Sequence, residues 1–205
     1  RIDEEDVFNL RTEQDFLQVV VKNMKNSDVI ILQDYNKGVL TPFIIENVIQ
    51  KANELDIPTI VDPKTKNFQS YKNCSIFKPN LKEMKEGFNI SFNENNISEI
   101  NTATKRLQEM LMAKGILLTL SEKGVCIQTK EGFTHTKALE RNIVDVSGAG
   151  DTVISTAALC LAASIDYTNL SKFANLAGGL VCEKVGVVPI EETELFENAI
   201  SYFTT

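Results

Sequence analysis

The sequence lacks tryptophan and holds one histidine and four cysteines in 205 residues. His135 has no Cys or acid at metal-ligand spacing and no serine nucleophile with a supporting motif, so we expect it to be structural. The cysteines are far apart, form no C-x-x-C pair and sit mostly among apolar neighbours, which predicts reduced core residues of a cytosolic protein. They are Cys74, Cys126, Cys160 and Cys182.

Long apolar runs and clusters of basic residues are also missing. No run approaches the roughly 20 residues of a membrane span, and no signal peptide opens the chain, so we expect a cytoplasmic protein without a membrane partner. The formal net charge of -7 argues against nucleic acid as a partner, because a polyanion is captured by clustered Lys and Arg. With 43% hydrophobic and 24% charged residues, the composition is that of an ordinary globular protein.

What the chain does contain is an alternation of short β-branched runs with helical patterns, which predicts a mostly parallel sheet between helices. The runs are residues 29–32, 58–62, 75–79 and 115–120, and the helical patterns cover residues 16–24, 45–52, 100–111 and 195–203. Two further runs, bracketed by Gly124 and Gly132, are typical of an antiparallel hairpin. We therefore predict a layered α/β fold and, from the length, one domain by default.

Polar residues that follow the apolar runs are the first candidates for a site, because ligands of open α/β sheets bind outside the carboxyl ends of the strands. These residues are Asp34, Lys37, Asp62, Lys64, Asn80, Glu83, Ser121, Lys123 and the stretch from Asp145 to Asp151. We expect all of them to lie along one edge of the sheet.

The stretch Gly148-Ala149-Gly150-Asp151 opens a long run of small and apolar residues. Glycines let a ligand approach the backbone closely, and the free amides at a helix start attract phosphate. A carboxylate at that place opposes anion binding, unless it serves as the base for a hydroxyl that attacks phosphorus. From these four residues alone, Asp151 is equally a helix cap or a catalytic base.

Two familiar phosphate-binding motifs do not explain these glycines. The chain has no G-x-x-x-x-G-K-[ST] sequence, so a Walker A site is absent. Gly148-x-Gly150-x-x-Val153 lacks the third glycine of the dinucleotide fingerprint and follows a predicted hairpin instead of opening a βαβ unit. A nicotinamide or flavin oxidoreductase is therefore a weak alternative.

Five segments together resemble one family. They are LQDYNKGVLT at 32–41, IVDPKTKNFQSYKNCSIFKPNLKE at 60–83, LLTLSEKGV at 117–125, DVSGAGDT at 145–152 and FANLAGGLVCEKVG at 173–186. DVSGAGDT is similar to the signature of the ribokinase-like (PfkB) sugar kinases. DYNKG, VDPK and PNLKE, in this order, resemble the D-glycero-β-D-manno-heptose-7-phosphate kinase branch, which in bacteria often forms the kinase half of a bifunctional ADP-heptose synthesis protein. The resemblance implies a ribokinase-like α/β/α sandwich.

The resemblance also implies that ATP phosphorylates a sugar hydroxyl at this site. Asp151 then corresponds to the catalytic base, and the preceding stretch Gly148–Gly150 to the anion hole for the transferring phosphoryl group. Asn80 and Glu83 are similar to the family's N-x-x-E motif, which organises Mg²⁺ and its waters. By itself, such a pair is more often a helix N-cap with its first-turn acid.

Two segments resemble the nucleotide-binding parts of the family. Ser121, Lys123 and Gly124 are similar to the nucleotide loop after a central strand. Asn175, Gly178 and Gly179 are similar to the helical segment that borders adenine. For both glycines, close helix packing is the alternative interpretation.

The remaining candidates lie around the predicted cleft. Asp145 matches the aspartate that opens D-x-x-G-A-G-D, which in several relatives helps to form a monovalent cation site, and the alternative is a turn cap. Whether K⁺ is required is left open. Asp34, Lys37, Asp62 and Lys64 stand where the heptose kinase branch places polar groups, and for the lysines an exposed surface position is the alternative.

Relatives carry a first βαβ region with a sugar-binding Asp, and lid strands, before the position that matches Arg1. RIDEEDVF resembles the segment that returns from the lid, so residues 1–205 are predicted to be the C-terminal portion of one kinase domain. We expect the full-length protein to be a homodimer through its lid. Three alternatives stay open, namely a kinase for another sugar, sugar phosphate or nucleoside, a non-catalytic nucleotide-binding protein, and an added nucleotidyltransferase module after Thr205.

Overall fold

A computed structural model describes Phe8 and residues 10–204. The α-helices of this part are α1 (Glu13–Met24), α2 (Pro42–Glu54), α3 (Leu81–Phe88), α4 (Ile97–Leu111), α5 (Ala149–Ala162), α6 (Tyr167–Val181) and α7 (Glu192–Thr204). The strands are β1 (Ile30–Gln33), β2 (Thr59–Asp62), β3 (Ile76–Phe77), β4 (Gly115–Thr119), β5 (Val125–Thr129) and β6 (Phe133–Thr136). Two 3₁₀ helices cover Thr65–Ser70 and Ser121–Lys123. Except for Phe8, the predicted lid-return segment RIDEEDVF lies outside the described residues.

The strands form one sheet in the order β1-β2-β3-β4-β5-β6. Strands β1 to β4 are parallel, whereas β5 is antiparallel to β4 and β6 is antiparallel to β5. The register places Gln33, at the end of β1, beside Asp62 at the end of β2. The topology confirms the predicted mostly parallel sheet and the predicted antiparallel hairpin.

The two faces of the sheet carry separate buried cores, because successive strand residues point to opposite sides. Leu32, Val61 and Phe77 lie in the core that the sheet shares with α2 and α4. Ile60 and Ile76 lie in the core that it shares with α5 and α6. Helices therefore cover both faces, and the arrangement is a three-layer α/β/α sandwich.

Parts of the predicted apolar helix stripes face solvent. In α4, Leu107 and Leu111 are buried while Met110 is 41% exposed. In α7, Ala199 is buried while Phe196 is 64% exposed. Since α7 packs against α6 at the outside of the sandwich, its residues that point away from α6 stay uncovered.

The surroundings of the four cysteines and of the histidine indicate structural roles. All four thiols are free and buried, which agrees with the predicted reduced core residues. Burial raises the pKa of Cys74 and of Cys126 to about 12, because a thiolate is poorly solvated there. His135 lies in β6, with its ring Nε2 2.8 Å from the carbonyl oxygen of Lys123. Within the described chain, no helix combines the length and the apolar character that a bilayer span requires.

Candidate active site

Three neighbouring strand ends form a polar row on the face of the sheet that α5 covers. Gln33 ends β1, Asp62 ends β2, and Lys78 follows β3 directly. Nε2 of Gln33 donates to Oδ2 of Asp62 at 2.8 Å, and Nζ of Lys78 lies 3.0 Å from Oδ1 of the same carboxylate. Asp62 and Lys78 are 8% and 3% exposed. The row is therefore held by an ion pair inside the protein.

Asp151 lies next to this row, in the first turn of α5. Nε2 of Gln33 donates to Oδ1 of Asp151 at 3.2 Å, so a single amide bridges Asp62 and Asp151. Gln33 is the sole donor to the Asp151 carboxylate among the described residues, and the other oxygen, Oδ2, stays open to a ligand. The N-cap of α5 is Gly148, and among the described residues no side chain caps this helix, so Asp151 does not serve as its cap.

The first backbone amides of helix α5 lie beside open space. Gly148 has a φ of 80°, which only glycine adopts without strain. The described residues offer no acceptor to the N–H of Gly150 or to the N–H of Asp151. A Cβ added to Gly150 would meet nothing within 4 Å. Free N–H groups beside open space at the positive end of a helix dipole suit an anion.

A second polar group, built from Lys64, Asn80 and Glu83, starts helix α3. The side chain of Asn80 accepts the N–H of Glu83 at 2.8 Å, and Oε2 of Glu83 accepts the N–H of Asn80 at 3.0 Å. The pair thus forms a capping box, the alternative that the sequence left open. Oε1 of Glu83 accepts from Nζ of Lys64 at 2.6 Å.

The ammonium group of Lys64 responds to opposing influences. Desolvation acts to lower its pKa, but the hydrogen bond and the charge of Glu83 raise it, and the charges of Asp62 and Asp34 add to the rise. The net pKa of Lys64 is raised. Lys64 therefore stays protonated in the field of the carboxylates that surround the strand ends.

Asp34 follows β1 but turns to the opposite core. The hydroxyl of Tyr71 donates to Oδ2 of Asp34 at 2.8 Å, and the N–H of Asn36 donates to Oδ1 at 2.7 Å. Burial, followed by the charge of Asp34, raises the pKa of Tyr71, so the phenol remains the donor. Asp34 thus anchors the loop after β1, on which Lys37 is exposed.

The predicted nucleotide loop follows β4. Gly124 has a φ of 90°, and a Cβ there would lie 2.1 Å from the carbonyl oxygen of Thr136, so the position requires glycine. Ser121 also has a positive φ, of 53°. Nζ of Lys123 donates to Oδ1 of Asn95 at 2.6 Å and to the carbonyl oxygen of Glu94 at 3.2 Å. Lys123 therefore holds the asparagine-rich loop between α3 and α4 and does not join the polar row.

The two candidates on α6 have structural contacts. Nδ2 of Asn175 donates to the carbonyl oxygen of Lys137 at 2.9 Å. Gly178 faces α5, and a Cβ there would lie 2.6 Å from Cγ2 of Val153. Close packing between α5 and α6, the alternative interpretation of Gly178, is thus present.

Asp145 joins the segment before α5 to the loop after α6. Oδ1 accepts the N–H of Ser147 at 2.9 Å, and Oδ2 accepts the N–H of Gly186 at 3.0 Å. The backbone N–H of Ser147, then its hydroxyl and the N–H of Gly186, hold the pKa of Asp145 below its ordinary value. The turn-cap alternative is therefore present, while each carboxylate oxygen keeps a further lone pair for a cation.

The structure brings part of the predicted set together and holds the rest apart. Direct contacts form two groups at the ends of β1, β2 and β3. One holds Gln33, Asp62, Lys78 and Asp151, and the other holds Lys64, Asn80 and Glu83. The charge of Asp62 acts on Lys64 of the second group. Gln33 and Lys78 were not predicted, although both stand where predicted strands end. The other candidates have other neighbours, namely Lys123, Gly124, Asn175, Gly178 and Asp145. Ser121 accepts the N–H of Gly124 through its carbonyl oxygen.

The described residues hold no cluster of metal ligands in this region, and two clefts lie elsewhere. Among the described residues, no group of three or more His, Cys, Asp or Glu side chains is arranged to hold a metal ion. A cleft of about 650 Å³ lies between α2 and the 3₁₀ helix Thr65–Ser70, and one of about 380 Å³ lies between the β5–β6 hairpin and the start of α6. Both lie away from the polar row, which sits on an open edge of the sheet.

Comparison with known proteins gives a family match. The model of the pfkB family of carbohydrate kinases matches residues 3–194. Bifunctional protein HldE of Campylobacter curvus is 37% identical over 186 residues, which cover 91% of this chain and 39% of that protein. The chain therefore spans about two fifths of the length of the curated relatives that it matches.

Solved structures share the fold. Phosphofructokinase-2 from Escherichia coli in complex with potassium has a TM-score of 0.85 and 17% identity, covering 100% of this chain and 66% of that one. Ribokinase from Arabidopsis thaliana complexed with ribose and ATP has a TM-score of 0.72 and 19% identity, covering 89% of this chain and 58% of that one. At identities this low, the structural similarity shows the fold alone, and it confirms the ribokinase-like α/β class.

Proposed function

This chain belongs to the pfkB family of carbohydrate kinases, and from this premise we propose that the full-length protein transfers the γ-phosphoryl group of ATP to a sugar hydroxyl. The proposed acceptor is the anomeric hydroxyl of D-glycero-D-manno-heptose 7-phosphate, which gives the 1,7-bisphosphate in ADP-heptose biosynthesis. The heptose-kinase-like segments DYNKG, VDPK and PNLKE and the 37% identity to a bifunctional HldE support this acceptor. The observation that carries the kinase proposal is the open carboxylate oxygen of Asp151 beside the free amides of α5.

Asp151 is proposed as the general base. Its open oxygen takes the proton of the acceptor hydroxyl while the hydroxyl oxygen bonds to the γ-phosphorus and the bond from phosphorus to the ADP oxygen breaks. The N–H groups of Gly150 and Asp151 donate to the negative oxygens of the transferring phosphoryl group. Gly148, Ala149 and Gly150 are thus the proposed anion hole, because their small side chains leave room for phosphate at the backbone.

A polyphosphate needs added positive charge at this edge. On the α5 side and at the start of α3, the carboxylates of Asp62, Glu83 and Asp151 outnumber the ammonium groups of Lys64 and Lys78. Mg²⁺ prefers oxygen ligands and keeps several waters, which fits Asn80 and Glu83 as groups that hold the hydrated ion. When bound, Mg²⁺ neutralises charge on the phosphate oxygens. We therefore propose ATP with Mg²⁺ as the donor.

Other contacts to the ligands are assigned by the family resemblance. The proposed nucleotide contacts are Ser121, Lys123, Gly124, Asn175 and Gly178, and the proposed substrate-side contacts are Asp34, Lys37, Asp62 and Lys64. Asp145 is a proposed monovalent cation ligand, supported by its spare lone pairs and by the potassium complex of phosphofructokinase-2. A comparison of rates in K⁺, Na⁺ and choline salts tests the cation requirement.

The arrangement of the whole protein is also a proposal. Residues 1–205 would form the C-terminal portion of a single kinase domain whose lid joins two copies into a homodimer. A protein that consumes ATP and a sugar phosphate would work in the cytoplasm. Light scattering on the full-length protein, compared with residues 1–205 alone, tests whether the dimer depends on the preceding segment.

The decisive experiment is an acceptor panel with the full-length protein and its Asp151→Asn variant. We expect ATP-dependent phosphorylation of heptose 7-phosphate in preference to fructose 6-phosphate, ribose and nucleosides, and a loss of about 10² to 10⁴-fold in the variant. Asp28→Asn, on the exposed loop before β1, is the matched control and keeps the wild-type rate. Preference for another sugar would overturn the heptose assignment alone, and ATP binding without transfer to any acceptor would overturn the kinase proposal.

A further inference from the structure

The amide of Gln33 is fully committed to two carboxylates. A glutamine Nε2 carries two N–H groups, and in this structure one points to Oδ2 of Asp62 at 2.8 Å and the other to Oδ1 of Asp151 at 3.2 Å. The opposite amide orientation would place its oxygen against two carboxylates, so the hydrogen-bond pattern fixes which atom is nitrogen. Gln33 therefore links the end of β1 to the first turn of α5.

We propose that Gln33 is a positioning residue for Asp151, which rests on the proposed role of Asp151 as the base. One oxygen of Asp151 is held by Gln33 and the other is open, so the bond sets the direction in which the open oxygen points. The cost of a misdirected reacting group is large, since a displacement of about 1 Å lowers rates by up to about 10²-fold.

The neutral side chain of Gln33 suits this role. A Lys or Arg in its place would stabilise the anion of Asp151 and make it a weaker base. A neutral amide orients the carboxylate with less of this penalty. Its two N–H groups also offset part of the repulsion between the negative charges of Asp62 and Asp151.

The anchor of Gln33 is rigid. Asp62 is the register partner of Gln33 on the neighbouring parallel strand, and its other oxygen lies 3.0 Å from Nζ of buried Lys78. The proposed chain of contacts therefore runs from Lys78 through Asp62 and Gln33 to Asp151. Three adjacent strands fix the Lys78 end of this chain, so the sheet determines how the Asp151 carboxylate is oriented at the start of α5.

The test uses full-length protein with heptose 7-phosphate and ATP. Gln33→Met keeps the shape of the side chain and removes both donors, and Gln33→Glu replaces the amide with a third carboxylate. For Gln33→Met we expect kcat to fall by about 10 to 10²-fold, with KM for both substrates within about twofold. Gln33→Glu is expected to lose more. The control, Gln50→Met on the outer side of α2, keeps the wild-type kcat.

A double-mutant cycle separates positioning from a general structural effect. If Gln33 acts through Asp151, Gln33→Met lowers kcat in the wild-type background but adds no further loss to Asp151→Asn. Three results would each overturn the positioning role alone. They are the same loss of kcat in both backgrounds, a raised KM for the sugar at unchanged kcat, and an active Gln33→Met beside an inactive Asp151→Asn. An Asp151→Asn variant with the wild-type rate would instead overturn the proposed base, and the positioning role with it.

Discussion

Nε2 of Gln33 lies 3.2 Å from Oδ1 of Asp151, although 118 positions separate the two residues in the chain. The contact ties the end of the first described strand to the start of α5, which follows the last strand. A helix start alone would leave the Asp151 side chain free to choose among rotamers. The sheet thus contributes directly to the geometry of the proposed phosphoryl-transfer site.

The two glycines before Asp151 are predicted to differ when each is replaced by alanine. At Gly148 the φ of 80° and a Cβ contact of 3.1 Å to Val187 disfavour alanine, so Gly148→Ala should lower the free energy of unfolding by about 1–2 kcal/mol. At Gly150 a Cβ meets nothing, and alanine should leave stability unchanged or raise it by up to about 1 kcal/mol. Urea unfolding measures both effects.

Gly150→Ala is nevertheless predicted to lower activity. The methyl group of Gly150→Ala would occupy the open space that the phosphoryl group is proposed to approach, so kcat/KM for ATP should fall even though the fold is stable. Asp28→Asn, on the exposed loop before β1, is the control and should keep the wild-type kcat/KM. Wild-type activity in a stable Gly150→Ala variant would mean that phosphate does not contact this turn.

The sequence pattern predicts the strands and the edge of the sheet at which polar residues lie, but it does not predict which of these side chains contact one another. Asp34 and Asp62 were predicted because they end β-branched runs, yet Asp34 turns to Tyr71 and Asp62 turns toward α5. Adjacent strand residues point to opposite faces, so one position decides which side chain reaches a site. Which face α5 covers depends on long-range packing, and a local pattern does not contain it. The pattern therefore predicts Asp34 at the site, whereas the side chain that reaches Asp151 is that of Gln33.

Gly178 offers a test that separates packing from nucleotide contact. A Cβ at this position would lie 2.6 Å from Cγ2 of Val153, so Gly178→Ala should cost about 1–3 kcal/mol in the free energy of unfolding. Val153→Ala removes that methyl group, and the double variant should recover much of the stability that Gly178→Ala loses. Denaturant unfolding of the two single variants and the double variant measures the coupling.

ATP binding by the double variant then addresses the proposed nucleotide role. If Gly178 contacts ATP, calorimetry should show weaker binding by Gly178→Ala/Val153→Ala than by Val153→Ala, even where stability is restored. Equal affinities would leave Gly178 as a packing glycine. A double variant no more stable than Gly178→Ala would show that the clash with Val153 is not the cause of the loss.

Removal of one partner of the ion pair between Lys78 and Asp62 is predicted to lower the free energy of unfolding strongly. Both groups are buried, so Lys78→Met leaves an uncompensated carboxylate and should destabilise the fold by about 3–5 kcal/mol. The double variant Asp62→Asn/Lys78→Met should lose less than the sum of the single variants. Thermal and urea unfolding give the comparison. Lys51→Met, which breaks a pair on the surface of α2, should cost less than about 1 kcal/mol, and a similar value for Lys78→Met would contradict the prediction.

Asp145 is predicted to make stability depend on acid pH. Its pKa is held below the ordinary value of 3.8, chiefly by the backbone N–H of Ser147, so the unfolded chain takes up its proton at higher pH than the folded chain. The stabilisation is therefore present above about pH 4 and is lost as the pH falls through the folded pKa. Asp145→Asn removes it, and the free energy difference from wild type should be largest near neutral pH and shrink below pH 3.8.

Urea unfolding of wild type and Asp145→Asn at a series of pH values between about 3 and 7 measures this difference. Other carboxylates that titrate in the same range affect both proteins alike, so the difference isolates Asp145. A constant gap between Asp145→Asn and wild type over the whole series would show that the contacts to Ser147 and Gly186 stabilise the turn through shape and not through charge.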